Sequence, residues 1–210
     1  MIKILIADDH RIVREGLKQI LAETQDMIVT DEANNTQEVL KKVWDNDFDV
    51  LLLDISMPGR SGLDILKQLK SDRPKLSVLV LSMYSEEQYA LRALRAGASG
   101  YLTKESAPDE LIDAIRKVST GRKYISPSVA ERLAFSLESG DERPPQETLS
   151  DREFQVMCMI ASGKTIKSIA DELSLSVKTV STYRARILEK MRMKNNSELT
   201  HYAIQNKLVE

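Results

Sequence analysis

The chain has 210 residues, of which 42% are hydrophobic and 30% are charged, with 8 glycines and 6 prolines, which argues against a fibrous or disordered protein. Its formal net charge of −2, taken alone, argues against a nucleic-acid partner, and its single cysteine excludes an intrachain disulfide. Because no apolar run approaches the ~18 residues of a membrane span, we expect a cytoplasmic protein that binds no membrane.

The first 120 residues alternate short apolar runs with segments of helical periodicity. The predicted strands are Lys3–Ala7, Met27–Thr30, Val50–Leu53, Val78–Leu81 and Gly100–Leu102. The predicted helices are Arg11–Glu23, Thr36–Trp44, Leu63–Ser71, Glu86–Ala96 and Asp109–Thr120. Three strands are continuously hydrophobic, as is typical of parallel strands covered on both faces. The pattern predicts an α/β fold, a doubly wound five-stranded parallel sheet with its ligand site beyond the carboxyl ends of the strands.

A polar segment with a proline pair separates this part from the rest of the chain. Ser126 and Pro127 predict the start of a short helix that ends near Leu137, and residues 138–147 show no apolar periodicity, as in an interdomain linker. After it we expect only helices, at Ser150–Ala161, Ile166–Leu173, Val177–Met191 and Ser197–Asn206. The predicted division is a first domain at 1–122, a connecting helix and linker at 123–148, and a smaller all-α domain at 149–210.

Residues typical of helix ends mark several of these boundaries. Gly97 and Gly121 stand where a left-handed C-terminal cap is needed. Ser150 with Glu153 predicts a capping box at the start of one helix, and Ser85 with Gln88 predicts a second box.

Three aspartates follow predicted strands of the first domain. Asp8 and Asp9 come after the first strand and Asp54 after the third, so all three emerge at one edge of the sheet. Each alone is as well explained as a helix cap, but together they repel one another unless a cation such as Mg²⁺ binds. Ser82 and Lys104, after the fourth and fifth strands, bring a hydroxyl and an ammonium to the same edge. This set suits phosphoryl chemistry.

Motifs at the strand ends carry a family resemblance: Ile6-Ala7-Asp8-Asp9-His10, Leu53-Asp54-Ile55-Ser56-Met57-Pro58-Gly59, Leu81-Ser82 and Gly100-Tyr101-Leu102-Thr103-Lys104. The chain resembles a two-component response regulator of the NarL/FixJ type, with residues 1 to about 120 similar to its flavodoxin-like receiver domain. The resemblance implies that Asp54 accepts a phosphoryl group from a sensor histidine kinase. It also implies that Asp9 binds Mg²⁺ directly, that Asp8 acts mainly through metal-bound water, and that the backbone carbonyl of Ser56 completes the site.

A conformational switch is also implied by the resemblance. The Ser82 hydroxyl moves toward the phosphoryl oxygens, the Tyr101 ring turns into the space it leaves, and Lys104 contacts the phosphoryl group. The face formed by the fourth helix, the fifth strand and the fifth helix, or the linker, then rearranges. Tyr101 alone is also explained as a packing residue of the edge strand. His10 and His201 are expected to be loop, cap or helix residues rather than metal ligands.

Residues 166–188 have the pattern of two helices joined by a tight turn. Residues at helical spacing predict the inner face of the first helix (Ile166, Ile169, Ala170 and Leu173) and of the second (Val180, Tyr183 or Arg184, Ile187 and Met191). Leu175 is predicted to fill the turn between them. The outward stripe of the second helix is small, polar and basic: Lys178, Ser181, Thr182, Ala185 and Arg186. Residues 177–194 contain six basic residues and one acidic residue. The pattern predicts a helix-turn-helix whose second helix enters the major groove of DNA.

The second domain resembles the LuxR-type DNA-binding domain in five places: Leu149-Ser150-Asp151-Arg152-Glu153, Ile160-Ala161-Ser162-Gly163, Ile169-Ala170, Lys178-Thr179-Val180 and Glu198-Leu199. The resemblance implies a recognition helix at Val177–Met191 whose base-facing residues are Lys178, Ser181 and Thr182 and whose phosphate-facing residues are Tyr183, Arg186 and Lys190. Ser174 stands in the turn where many helix-turn-helix proteins have glycine. The last helix carries an apolar stripe that either pairs with a second subunit or belongs to the core: Leu199, Tyr202, Ala203 and Leu208.

These features favour a phosphorylation-controlled transcription factor that forms homodimers on paired promoter half-sites, and not an enzyme. One alternative is a phosphohydrolase of the haloacid dehalogenase type, which needs a second aspartate where this chain has Ser56. Another is a regulator that dimerises and binds DNA without phosphate. The net charge no longer argues against DNA, because residues 1–143 carry 20 basic and 24 acidic residues whereas residues 144–210 carry 10 and 8.

Overall fold

A computed structural model describes residues 1–57, 60–138 and 144–209. The chain forms two compact units, residues 1–130 and 131–210. The first contains β1 (Ile2–Ala7), α1 (Arg11–Ala22), β2 (Met27–Ala33), α2 (Thr36–Asp45), β3 (Val50–Asp54), α3 (Gly62–Asp72), β4 (Ser77–Ser82), α4 (Glu86–Arg95), β5 (Gly100–Thr103) and α5 (Pro108–Ser119). Helix α6 (Pro127–Glu138) follows, then a 3₁₀ turn (Pro145–Thr148), α7 (Asp151–Ala161), α8 (Ile166–Glu172), α9 (Val177–Lys190) and α10 (Asn196–Gln205).

The five strands of the first unit form one parallel sheet in the order β2-β1-β3-β4-β5. This order confirms the predicted doubly wound α/β fold. Every residue of β3 and β4 is buried, as expected for strands covered by helices on both faces. The register pairs Asp54 with Leu81 and Ser82 with Thr103. The carboxyl ends of these strands therefore lie side by side and present the residues that follow them at one edge.

Strand β2 is longer than the sequence pattern predicts. The prediction ends at Thr30, but β2 continues to Ala33, with Asp31 and Glu32 paired to β1 beyond an irregularity in the register. Because β2 is the edge strand, its polar residues can remain partly exposed while the backbone stays in the ladder. The end of the apolar run was therefore the wrong signal for the end of this strand.

The helix-end predictions are confirmed at three of four places. Gly97 and Gly121 have φ of 105° and 79°, and Ser150 with Glu153 forms the predicted capping box. Ser85 occupies the N-cap of α4, but its side chain makes no cap hydrogen bond in the described part of the chain. The Oε1 atom of Gln88 is buried instead of reaching back to the backbone N–H of Ser85, so the second predicted capping box is wrong.

The second unit has its core around α7. Every residue from Arg152 to Ala161 is buried, including Phe154 and the single cysteine, Cys158. Six of the residues predicted to face inward are buried: Ile169, Ala170, Leu173, Val180, Ile187 and Met191. The others are half-buried: Ile166, Leu175, Tyr183 and Arg184. This burial confirms the helix-turn-helix pattern, and the described residues of the unit form helices only.

The connecting segment was only partly predictable. Helix α6 begins at Pro127, where the Ser126 hydroxyl accepts the Val129 N–H at 3.4 Å, as expected of a cap. Residues 139–143 of the predicted linker lie outside the described residues. The 3₁₀ turn that follows was not predicted, because a single turn has no apolar periodicity. Among the helices described, none combines the length and apolarity needed to span a membrane.

Candidate functional site

Acidic side chains converge at the carboxyl edge of the sheet, as the strand order requires. Asp8 and Asp54 are each 2% exposed, and Asp9 is half-buried beside them. One ligand atom each from Asp8, Asp9, Asp54 and His10 lies within 4.8 Å of the others. The structure therefore brings together the three aspartates singled out from the sequence. His10 occupies the N-cap position of α1, in line with the expected loop or cap role, and its ring lies beside the carboxylates.

Lys104 lies between two of these carboxylates. Its Nζ is 2.5 Å from Asp8 Oδ2 and 2.7 Å from Asp54 Oδ2, and its side chain is 8% exposed. Burial alone would lower the pKa of Lys104, but Asp54 and Asp8 raise it above the ordinary value. Burial raises the pKa of the Asp54 carboxyl, and Lys104 opposes that rise. The ammonium thus favours an ionised carboxylate at a position shielded from solvent.

The residue two places after Asp54 also holds its carboxylate. The Ser56 N–H donates to Asp54 Oδ1 at 2.7 Å, while Ser56 Oγ is buried with no hydrogen-bond partner among the described residues. With Lys104 on Oδ2, each carboxylate oxygen of Asp54 accepts one hydrogen bond. Met57 follows and is buried, and Pro58 and Gly59 lie outside the described residues.

The donor set fits a hard divalent cation. Three carboxylates and one ammonium leave two uncompensated negative charges when all are ionised, which a divalent cation balances. Asp9 Oδ1 is buried and accepts no hydrogen bond in the described part of the chain, although His10 Nδ1 lies 3.1 Å away. A buried carboxylate oxygen without a hydrogen-bond donor is a ready ligand for such an ion.

Ser82 and Tyr101, the expected switch pair, contact the same residue. Ser82 is fully buried and its Oγ accepts the Tyr84 N–H at 3.2 Å. Tyr101 is 3% exposed, and its hydroxyl donates to the Tyr84 carbonyl at 2.8 Å. Burial raises the pKa of the Tyr101 phenol. Tyr84, in the loop between β4 and α4, therefore connects the two side chains, a role that the sequence did not reveal.

Sequence reasoning also missed Arg14. Its Nη1 donates to the backbone carbonyl of Asp8 at 2.7 Å, and its Nε donates to Glu32 at 2.9 Å. A cation near the start of α1 is disfavoured by the helix dipole, but this did not single out Arg14, because Arg11 is an exposed cation at the first position of the same helix.

Helix α9 exposes the polar stripe predicted to meet DNA. Lys178, Ser181, Thr182 and Arg186 are exposed, whereas Tyr183 is half-buried. The N-terminus of the helix is capped by Ser176, whose Oγ accepts the Thr179 N–H at 3.0 Å. The Thr182 hydroxyl donates to the Lys178 carbonyl, which leaves its oxygen available as an acceptor. The exposed stripe is polar and basic, and Val177 at the start of the helix is 51% exposed beside it.

The turn before this helix accommodates serine where glycine is common. Ser174 adopts a left-handed conformation with φ of 53°, and the Leu175 N–H donates to the Ala170 carbonyl at 2.8 Å. Placing a non-glycine residue there costs about 1 kcal/mol. The buried side chains of α8 and α9 hold the turn in place, so the departure from glycine does not disrupt the motif.

Lys190 is the residue whose surroundings differ most from expectation. Its Nζ donates to Glu153 Oε2 at 2.6 Å, and the Glu153 side chain is 4% exposed. Burial would raise the pKa of Glu153, but the Lys190 ammonium and the Ser150 N–H hold it below its ordinary value of 4.5. The ion pair joins the start of α7 to the end of α9, so it competes with the predicted phosphate contact of Lys190.

Replacing Glu153 by glutamine is expected to destabilise the second unit by about 1 kcal/mol at pH 7, because a charged acceptor is lost from a partly screened bond. The pKa of Glu153 is lowered by folding, so this stabilisation is complete above the ordinary value of 4.5 and disappears as pH falls through the lower folded-state pKa. The difference in stability between wild type and Glu153→Gln should therefore shrink as the pH falls below 4.5. The measurement is thermal unfolding followed by the reaction of Cys158, which is buried in this unit, with a reagent that modifies thiols at acid pH.

The matched control is Glu172→Gln, which breaks the Lys164–Glu172 pair. Its N–O distance is also 2.6 Å, but the Glu172 side chain is 46% exposed. An exposed pair contributes about 0–1 kcal/mol, so this control should change stability less. Equal losses in the two variants would show that burial of Glu153 adds nothing.

The apolar stripe of α10 lies in the core of its own unit. Leu199 and Ala203 are fully buried, Leu208 is 3% exposed, and the Tyr202 hydroxyl donates to Gln146 Oε1. Core packing therefore accounts for this stripe, and a subunit contact through α10 would have to use its exposed residues, such as Ile204.

Comparison with known families matches both units. Residues 4–116 match the response regulator receiver domain, and residues 147–203 match the bacterial regulatory proteins of the luxR family. Response regulator GacA of Pseudomonas aeruginosa is 38% identical over 211 residues, covering 100% of this chain and 99% of the relative. Response regulator UvrY of Escherichia coli is 37% identical over 209 residues, covering 99% and 96%.

A solved structure gives the same result. RcsB from Salmonella enterica serovar Typhimurium, bound to promoter rprA in the presence of phosphomimetic BeF₃⁻, aligns with a TM-score of 0.65 and 26% identity, covering 96% of this chain and 97% of RcsB. The chain belongs to the two-component response regulators that join a receiver domain to a LuxR-type DNA-binding domain. It is a phosphorylation-dependent transcriptional regulator.

Proposed function

We propose that Asp54 accepts the phosphoryl group from a sensor histidine kinase and that its phosphorylation controls DNA binding by α9. The observation that carries the proposal is the buried Lys104 ammonium, 2.7 Å from Asp54 and 2.5 Å from Asp8. Burying such charges only for stability is unfavourable, whereas a lysine beside a carboxylate suits phosphoryl transfer. The receiver family to which this unit belongs supports the assignment.

The transfer is a substitution at phosphorus. A carboxylate oxygen of Asp54 forms the new O–P bond while the N–P bond to the kinase histidine breaks, and the imidazole leaves with the electron pair. The Ser56 N–H and Lys104 fix the orientation of the carboxylate before attack. Lys104 can then neutralise phosphoryl oxygens. A dehalogenase-type phosphohydrolase would need a general acid at position 56, where serine cannot serve.

We propose that Asp9, Asp54 and the backbone carbonyl of Ser56 hold Mg²⁺. The bound ion supplies charge neutralisation for the phosphoryl oxygens. The buried Oδ1 of Asp9 is open to direct coordination. Asp8 already accepts the His10 N–H on Oδ1 and Lys104 on Oδ2, which supports a role through metal-bound water.

The switch is proposed to act through Tyr84. When the Ser82 hydroxyl turns to a phosphoryl oxygen, its bond to the Tyr84 N–H is lost, and Tyr84 no longer holds the Tyr101 hydroxyl in its present position. The same loop leads into α4, whose Glu86 accepts bonds from the hydroxyls of Ser126 at 2.5 Å and Ser128 at 2.9 Å. These contacts are a route from the site to the start of α6.

On the DNA side, we propose base contacts for Lys178, Ser181 and Thr182, and phosphate contacts for Arg186 and Tyr183. The exposure of four of these five side chains supports the assignment, and Lys190 can join them only by leaving Glu153. We propose a cytoplasmic homodimer on paired promoter half-sites, with the receiver at 1–122, the connecting segment at 123–148 and the DNA-binding domain at 149–210.

Genome-wide DNA footprinting of the full chain, with and without acetyl phosphate, tests the proposal. We expect promoter footprints that strengthen with acetyl phosphate and weaken with added salt, because phosphate contacts release counterions. Lys178→Ala should weaken the footprints by about 1–3 kcal/mol in binding free energy, or ~5- to 150-fold, if Lys178 reads a base.

Lys41→Ala is the matched control, since Lys41 is exposed on α2 in the receiver and the variant loses the same charge. It should leave the footprints unchanged. Unaltered footprints in Lys178→Ala would remove Lys178 from the contact set, and a wild-type chain without sequence-specific footprints would contradict the proposed function.

A further inference from the structure

Arg14 connects the acidic site to the edge of the sheet through two diverging bonds. Its Nη1 donates to the Asp8 carbonyl at 2.7 Å, and its Nε donates to Glu32 Oε2 at 2.9 Å. The Arg14 side chain is 14% exposed, so these bonds are largely shielded from water. Both involve a charged donor, which makes them stronger than bonds between neutral groups.

The bond from Arg14 fixes a particular peptide plane. The Asp8 N–H donates to the Ala33 carbonyl at 3.0 Å, so Asp8 is held by β2 on one side and by Arg14 on the other. The Asp8 carbonyl and the Asp9 nitrogen belong to one planar peptide group. Holding that carbonyl therefore limits rotation of the peptide from which the Asp9 side chain extends.

Glu32 holds the guanidinium in turn. Its second oxygen accepts Lys18 Nζ at 2.7 Å, and Lys18 also contacts Glu15 at 2.9 Å. The pKa of Glu32 lies below its ordinary value because Lys18 and Arg14 donate to it against the opposing effect of burial. Lys18 thus shares the Glu32 anchor with Arg14 but makes no contact with Asp8 among those described.

We propose that Arg14 is a positioning residue for the metal site: by holding the Asp8–Asp9 peptide, it sets the buried Asp9 oxygen in place for Mg²⁺. The inference rests on the proposed Mg²⁺ site and adds a residue to its support. Groups that orient metal ligands typically change metal affinity by about 10–100-fold when removed. Arginine suits the role because its fork serves two acceptors in different directions, which one lysine ammonium does less well.

Calorimetric titration of the full chain with Mg²⁺ alone tests this proposal. Arg14→Gln should raise the Mg²⁺ dissociation constant about 10–100-fold. Lys18→Gln also removes a cation from Glu32, but it should leave the Mg²⁺ dissociation constant within about twofold of wild type. In this variant Arg14 still donates to the Asp8 carbonyl. The Mg²⁺ dissociation constant of Arg14→Lys should lie between those of wild type and Arg14→Gln. If only the positive charge mattered, Arg14→Lys would bind Mg²⁺ as wild type does.

Urea unfolding of each variant, followed through Trp44, the single tryptophan, separates positioning from folding. Arg14→Gln should lose more Mg²⁺ affinity than Lys18→Gln even where the two unfold at the same urea concentration. If Arg14→Gln fails to fold, Arg14→Lys and Glu32→Gln are measured in its place. Both are expected to bind Mg²⁺ more weakly than wild type.

Two results would overturn the inference. Unchanged Mg²⁺ affinity in the folded Arg14 variants, or an equal loss in Lys18→Gln, would show that Arg14 only ties α1 to β2. A wild-type chain that takes up no Mg²⁺ would overturn the proposed metal site as well, so the two failures are distinguishable.

Discussion

Asp54→Asn is expected to take up no phosphoryl group from acetyl phosphate, while the receiver stays folded. An amide has nearly the same shape as the carboxylate but lacks its nucleophilic charge. In the described part of the chain, the Ser56 N–H donates to Oδ1 of Asp54 and Lys104 donates to Oδ2. The single amide oxygen of asparagine can still accept the Ser56 N–H, whereas its NH₂ group takes the place of the oxygen that accepts Lys104. Lys104 keeps its bond to Asp8, so the substitution leaves no unpaired buried ammonium.

Mass spectrometry of the intact chain after treatment with acetyl phosphate and Mg²⁺ provides the measurement. Asp64→Asn is the control, because Asp64 is an exposed residue of α3 and its loss should leave phosphorylation at the wild-type level. Normal modification of Asp54→Asn would show that another residue is the acceptor.

The same variant distinguishes a phosphate-controlled regulator from one that binds DNA regardless of phosphate. If phosphorylation of Asp54 strengthens DNA binding, acetyl phosphate should strengthen the wild-type footprints and have no effect on Asp54→Asn. Footprints of equal strength in all four conditions would favour the constitutive alternative.

The parts of the site that lie at strand ends could be predicted because topology alone brings them together. In a parallel sheet the residues after neighbouring strands share one edge, so Asp8, Asp54 and Lys104 followed from the alternation of strands and helices. The inner faces of α8 and α9 were predictable for a similar reason, since helical periodicity identifies the buried side from spacing alone.

Other features depend on side-chain direction, which spacing does not determine. Glu153 and Lys190 are 37 residues apart, and only the packing of α7 against α9 brings them into contact. Gln88 had the correct spacing for a capping box, but its side chain turned into the interior. Arg14 required knowledge of both the loop after β1 and the position of Glu32 on β2.

Gly62 is expected to tolerate no side chain, because α3 begins against the backbone that follows Asp54. A Cβ atom at Gly62 would lie 2.4 Å from Ile55 Cα and 2.9 Å from the Ile55 carbonyl oxygen. Both of these atoms belong to the backbone, so no rotamer change relieves the overlap. Gly62→Ala should therefore destabilise the receiver by about 3 kcal/mol, at the upper end of the range for overpacking, which is more than 100-fold in the folding equilibrium.

A second glycine provides a control with the opposite sign. Gly16 lies inside α1, and a Cβ atom there would meet nothing within 4 Å. Gly16→Ala should stabilise the receiver by about 0.5–1 kcal/mol, because alanine loses less backbone entropy in a helix. Urea unfolding followed through Trp44, which lies in α2 of the receiver, measures both changes in one unit.

The close approach at Gly62 also has a consequence for the site. Moving Ile55 away from α3 displaces the backbone between Asp54 and Ser56, whose N–H donates to the Asp54 carboxylate. Any Gly62→Ala protein that remains folded should therefore react more slowly with acetyl phosphate, whereas Gly16→Ala should react at the wild-type rate. A Gly62→Ala chain with wild-type stability and wild-type phosphorylation would show that α3 does not press on this backbone.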